Sequence, residues 1–193
     1  PEIAGAQATL QSLKVLNNVT PTANDWGGIV LEEGAPFHNI SGINLFHATK
    51  GVIVANTAGA TLQDNAFEMC GVACVTVEPA ATSALVNRNR FFQASRIGTA
   101  VYATNLQTWI LNNLIVYFAD GVHVEARDAD ADHVVAHNTI DLSTIGISSG
   151  RVIDAQVSIF NNLLTRHNKT HQNLTVGPTF VAYQPEYVLG NNE

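Results

Sequence analysis

Along this chain an apolar or β-branched residue, in one copy Asn39, is followed three positions later by Asn, in that copy by Gly42, and the pattern returns at a nearly constant interval. The markers Asn18, Gly42, Asn65, Asn89, Asn113, Asn138 and Asn162 are separated by 24, 23, 24, 24, 25 and 24 residues, with Val15, Asn39, Leu62, Val86, Ile110, Val135 and Ile159 as their leading partners. A unit that short cannot bury its own apolar face. It must stack on copies of itself, so the whole chain is expected to form one solenoid.

Two solenoids have periods in this range. A leucine-rich repeat places Leu at fixed positions before the Asn and a helical or 3₁₀ segment after it. Here the position five before the marker holds Leu13, Phe37, Ala60, Ala84, Thr108, His133 and Val157, of which one is Leu. Alternating runs such as Val75-Thr76-Val77 and Val122-His123-Val124 stand where the helix would be. Alternation with β-branched enrichment is a strand pattern. Each repeat is therefore read as three short strands and three turns, which is one coil of a parallel β-helix. The fold expected is all-β: a single-stranded right-handed parallel β-helix of about seven to eight coils, right-handed because such crossovers dominate.

In that architecture an Asn side chain both donates and accepts. Identical residues stacked ~4.8 Å apart can then bond to the coils above and below, so an inward Asn ladder is expected. Eight or nine residues after the marker come Gly27, Gly51, Gly98, Gly121 and Gly146, read as tight turns needing positive φ.

The runs from Asn113 to Gly121-Val122 and from Asn138 to Gly146-Ile147 resemble the repeat of the right-handed parallel β-helix, or pectate-lyase-like, superfamily. The resemblance covers roughly residues 10–165. A second likeness is the tail: Gly177-Pro178-Thr179-Phe180-Val181 followed by Tyr187-Val188-Leu189-Gly190 is similar to the closing segment of many secreted β-helix proteins, although the Asp of that segment is missing. The resemblance implies a secreted, extracellular or cell-surface protein. It is compatible with lyases, hydrolases, epimerases, adhesins and spikes alike, since fold does not decide function.

One domain over residues 1–193 is expected, with regular coils over 10–165 and an irregular C-terminal loop and last strand or cap over 166–193. The irregular ends are read as covers for open strand edges. Sixteen acidic against nine basic residues give a formal charge of −7. With no basic run, nucleic-acid binding is disfavoured. No apolar stretch reaches the ~18 residues of a membrane span. The chain opens on Pro1 rather than Met, as a processed or excised segment would. Sequons at Asn18, Asn39, Asn168 and Asn173 are read as coincidences of an Asn- and Thr-rich chain. Cys70 and Cys74 are expected to be free thiols, because two cysteines make neither a disulfide framework nor a zinc site.

Chemistry is expected on the outward side of the strand that follows Gly. With Val122 and Val124 inward, alternation sends His123, Glu125 and Arg127 out, and the same register sends Thr76, Glu78 and Tyr102 out. Glu78, Tyr102, His123 and Glu125 are the candidate catalytic residues, with Thr76 and Arg127 as substrate-binding ones. Carboxylates two coils apart would lie ~9.6 Å apart, near the upper end of the range for an inverting glycosidase. A Tyr or His base beside Arg would suit β-elimination from a uronic acid sugar. A solvated sheet face would carry the same residue types. Asp128, Asp130 and Asp132 alternate with Ala and could offer oxygen ligands to Ca²⁺, an ion the resemblance also suggests, although a solvated acidic turn has the same composition.

Two functions follow. One is a carbohydrate-active or glycan-binding domain of polysaccharide lyase or glycoside hydrolase type, with polysaccharide as partner. The alternative is a non-catalytic adhesin or spike-like repeat domain, suggested by mostly short turns where enzymes of the fold carry long loops walling a cleft.

Overall fold

The computed structural model describes residues 2–3, 9–11, 27–32, 37–152, 154–167, 169–173 and 187–188. Among the described residues there are twenty strands and no helix. All strand pairs are parallel and form three ladders. The first runs through Thr9–Gln11, His38–Ser41, Gly59–Gln63, Ser83–Asn87, Gln107–Leu111, Asp132–Ala136 and Gln156–Phe160. The second runs through Asn44–Phe46, Ala66–Glu68, the starts of Arg90–Ala103 and Leu114–Ala126, then Thr139–Asp141, Leu163–Thr165 and Tyr187–Val188. The third joins Glu2–Ile3, Ile29–Leu31, Lys50–Val54, Ala73–Val77, the later parts of the same two long strands, Ile145–Arg151 and Lys169–Asn173.

This is the parallel β-helix expected. About five regular turns of about 24 residues are described in full, fewer than seven to eight, because much of both ends falls outside the described residues. Two pieces of the tail continue the coil: Lys169–Asn173 pairs with Ile145–Arg151, and Tyr187–Val188 pairs with Leu163–Thr165. The marker Asn18 and the Gly177 to Val181 segment lie outside the described residues.

Each ladder contributes one apolar stack to the core. Ile40, Leu62, Val86, Ile110, Val135 and Ile159 stack in the first, Leu45, Phe67, Phe91, Ile115, Ile140 and Leu164 in the second, and Val52, Val75, Val101, Val122 and Ile147 in the third, all buried. Phe67 and Phe91 lie ring on ring, 5.0 Å between centroids and 8° from parallel. In-register stacking lets like side chains on successive coils pack against each other, as in cross-strand pairs of any sheet.

The Asn ladder runs Asn65, Asn89, Asn113, Asn138, Asn162. Each Oδ1 from Asn89 to Asn162 accepts both the backbone N–H and the side-chain N–H of the Asn one coil earlier, at 2.9–3.1 Å. Gly42 is not its first rung. Ile40 pairs with Leu62, which aligns Ile43 with Asn65, and the Ile43 N–H donates to Asn65 Oδ1 at 3.1 Å. Gly42 instead occupies a left-handed corner (φ 67°) shared by Asp64, Arg88, Asn112, His137 and Asn161. A second left-handed corner holds His47, Met69, Tyr117, Leu142 and Arg166, so two tight bends bracket the short second ladder.

The glycine expectation holds in part. Gly98 has φ 62°, but Gly27, Gly51, Gly121 and Gly146 are not left-handed. At Gly121 the need is space: a Cβ there would lie 2.5 Å from the Gly146 carbonyl oxygen and 2.5 Å from Ile140 Cγ2. The free-thiol expectation is overturned. Cys70 and Cys74 form a buried disulfide with a Cα separation of 5.2 Å. The loop between them is pinned to the preceding coil by the Gly71 and Val72 N–H groups, which donate to the Ala48 and Thr49 carbonyls and help hold the two cysteines together.

Candidate ligand-binding face

The third ladder sets one outward row in register, Ile53, Thr76, Tyr102, His123 and Ser148. Val122 and Val124 are fully buried, while the side chains of His123, Glu125 and Arg127 are 14%, 27% and 56% exposed. The strand parity read from the sequence therefore places these three side chains outside.

Four of the six candidates come together. The Tyr102 and His123 rings lie 4.8 Å apart on adjacent coils, tilted by 41°. His123 Nε2 is 3.0 Å from Glu125 Oε1, and Arg127 Nε donates to Glu125 Oε2 at 2.6 Å. Arg127 Nη2 reaches the Tyr102 hydroxyl at 3.5 Å. Two residues that the sequence reading missed complete the cluster. Ser148 Oγ is 2.9 Å from His123 Nδ1, and Asp120 Oδ2 is 3.7 Å from the same nitrogen. Ser148 stands one coil beyond His123 and could have been found from the period. Asp120 could not, because its parity matches inward Val122; alternation slips at Gly121 and Val122, which are both buried, and this slip leaves Asp120 less buried beside His123.

Thr76 pairs in register with Tyr102, but among the described residues neither Thr76 nor Glu78 bonds to the cluster. Thr76 is 4% exposed and its Oγ1 has no hydrogen-bond partner among the described residues. Glu78 faces Lys50 at 3.9 Å.

The electrostatics of the cluster are self-balancing. Burial pulls the His123 imidazole down, but Asp120 and Glu125 together outweigh it and hold the group above its ordinary range. Burial pushes Glu125 up, yet its bonds to His123 and Arg127 win and hold the carboxyl below the usual value. Tyr102 is pushed up, first by burial and then by the Glu125 charge, with Arg127 opposing. With His123 protonated, both ring N–H groups can donate, one to Glu125 Oε1 and one to Ser148 Oγ.

The acidic turn shows no gathered set of cation ligands among the described residues. Asp128 Oδ1 accepts the Asp130 N–H at 3.0 Å and the Asp128 carbonyl accepts the Ala131 N–H at 3.0 Å, so the first carboxylate caps its own turn. Asp128 and Asp130 are exposed and Asp132 is half-buried. Among the described residues no three His, Cys, Asp or Glu side chains gather as metal ligands, so Asp128, Asp130 and Asp132 do not converge as a Ca²⁺ site would require.

Three parallel ladders, an inward Asn ladder and left-handed corners define a protein of the right-handed parallel β-helix superfamily. Within it, residues 10–180 match the family described as periplasmic copper-binding protein (NosD), and the chain belongs to that family. No curated protein and no solved structure matches the chain. A periplasmic family agrees, at the level of the cell envelope, with the export expected from the fold. So does a buried disulfide, which persists in oxidising compartments. Among the described residues no helix is long and apolar enough to cross a membrane.

Copper is the metal of the family's description, and among the described residues no three His, Cys, Asp or Glu side chains gather to hold it. Soft copper sites draw on thiolate, thioether and imidazole donors. Both cysteines are bonded to each other, and His123 already engages Glu125 and Ser148.

Proposed function

We propose that this protein is a cell-envelope β-helix that binds carbohydrate on the outward face around Tyr102 without cleaving it. The observation that carries this reading is the continuous hydrogen-bond chain from Tyr102 through Arg127, Glu125 and His123 to Ser148. A general acid needs a raised carboxyl pKa and a Tyr base a lowered one. Here the shifts run the other way: Glu125 is held down and Tyr102 is pushed up. Rigid, mutually satisfied groups suit recognition, because little side-chain freedom is lost on binding.

With His123 protonated, Asp120 and Glu125 balance His123 and Arg127, so the face suits a neutral sugar rather than a polyanion. Tyr102 offers an aromatic surface to sugar C–H groups, and the outer atoms of Arg127 and Glu125 offer hydrogen bonds to hydroxyls. Copper takes no part in this reading. A glycan array probed with the intact protein and with Tyr102→Ala tests it. Binding of neutral glycans that Tyr102→Ala removes, with the fold unchanged, supports the face; absence of any bound glycan, or equal binding by the variant, sinks it and leaves the repeat as a scaffold.

A further inference from the structure

A second site lies on a different part of the coil, at the first left-handed corner. There the positions in register form two short rows. The corner row is Gly42, Asp64 and Arg88, and the strand row beside it is Asn44, Ala66 and Arg90. Gly42 has no side chain where later coils carry Asn112, His137 and Asn161, and Ala66 is small where later coils carry Leu114, Thr139 and Leu163. These two small residues leave an open hollow of about 240 Å³, walled by Asn44, Asp64, Arg88 and Arg90.

The floor is inert. Asn65 spends its Oδ1 on the Ile43 N–H and its amide N–H groups on the Ile40 carbonyl and Asn89 Oδ1. The walls are not. Arg88 is clamped to Asp64 by two bonds, Nε to Oδ1 at 2.8 Å and Nη2 to Oδ2 at 2.7 Å. Arg90 is exposed and its guanidinium has no partner among the described residues. One carboxylate against two guanidiniums leaves a single uncompensated positive charge on a chain whose formal charge is −7.

We propose that this hollow binds a small hydroxycarboxylate, of the size of a sugar acid. The Arg90 fork takes the carboxylate by two parallel N–H donors, a geometry that guanidinium offers and ammonium does not. The Asn44 amide and the outer Asp64 oxygen take hydroxyls. The volume is below the ~300–1,000 Å³ of sites for drug-sized molecules, which limits the ligand to a small one. One free charge selects a monoanion. This site shares no residue with the Tyr102 face and stands or falls independently of it.

The test is an NMR titration of the intact protein with gluconate, with glucose and acetate as controls. Gluconate is expected to shift the signals of Asn44, Arg88 and Arg90 at millimolar concentration, glucose to leave them in place, and acetate to act more weakly. Arg90→Ala is expected to weaken gluconate binding at least tenfold with the thermal midpoint unchanged, and Arg90→Lys to weaken it less, while Tyr102→Ala has no effect. Equal response to glucose, no response to gluconate at tens of millimolar, or undiminished binding by Arg90→Ala would each overturn the assignment.

Discussion

Asn113 and Asn138 are joined by two hydrogen bonds that end on one oxygen: Asn138 Oδ1 accepts the Asn113 backbone N–H at 2.9 Å and its Nδ2 at 2.9 Å. The same Nδ2 also donates to the Val86 carbonyl at 2.9 Å, and Asn113 Oδ1 accepts two bonds from Asn89. Asn113→Ala strands buried partners on both sides, and an unsatisfied buried group costs about 1–3 kcal/mol. Denaturant unfolding is expected to show a loss in that range, with Asn113→Asp also destabilised because the donor is gone. Unchanged stability would mean that the ladder does not hold the coils together.

His133 lies fully buried in the first ladder, and burial pushes its pKa down to about 4 against the smaller opposing effects of the Asp132 charge and the Asn105 backbone. In the unfolded chain the group titrates near its ordinary value of about 6.5. Above that value both states are neutral and the native fold keeps its full stability. As pH falls from about 6.5 to about 4, the unfolded chain gains a proton that the native state refuses, and stability is lost by roughly 3 kcal/mol. His133→Val, which copies Val157 one coil on, is expected to remove that part of the acid slope. A slope identical in wild type and variant would show that His133 does not control it.

The outward network carries a pH signature of its own. His123 is held above its ordinary value, so its contribution is complete below about pH 6.5 and disappears as pH rises through the raised pKa. Glu125 is held below its ordinary value, so its contribution is complete above the usual carboxylate range and disappears as pH falls through the lowered pKa. Glu125→Gln is expected to lower the His123 pKa in an NMR titration of the imidazole protons. An unmoved titration would mean that the 3.0 Å contact is not an ion pair.

The periodic part of the fold was legible in the sequence because each rung of the core repeats: Val86, Ile110 and Val135 recur with their Asn partners three residues on. The parity of His123, Glu125 and Arg127 was legible for the same reason. What was not legible broke the rhythm. Gly42 mimicked a marker because the coil that ends at Asn65 is shorter than the others, and its true role is a corner. Asp120 was hidden by the slip at Gly121, and the Cys70–Cys74 bond by the fact that proximity across a bend depends on backbone contacts to the coil before it.

Closing the five-residue loop from Cys70 to Cys74 restrains little unfolded chain. The chain-entropy relation assigns such a loop about 2 kcal/mol. Cys70→Ala with Cys74→Ala is expected to lose about that much while folding to the same solenoid. Thiol titration of the unreduced, denatured protein is expected to find no free thiol. Two reactive thiols there would contradict the bond.

Binding without cleavage is tested most directly by incubating the intact protein with a polysaccharide selected on the glycan array and following chain length together with unsaturated product. The expected result is a polymer that binds the wild-type protein and stays at full length, and that also stays at full length with Tyr102→Ala while its binding is lost. Shortening of the polymer by the wild-type protein, abolished by Glu125→Gln, would contradict it and make the Tyr102 face an active site.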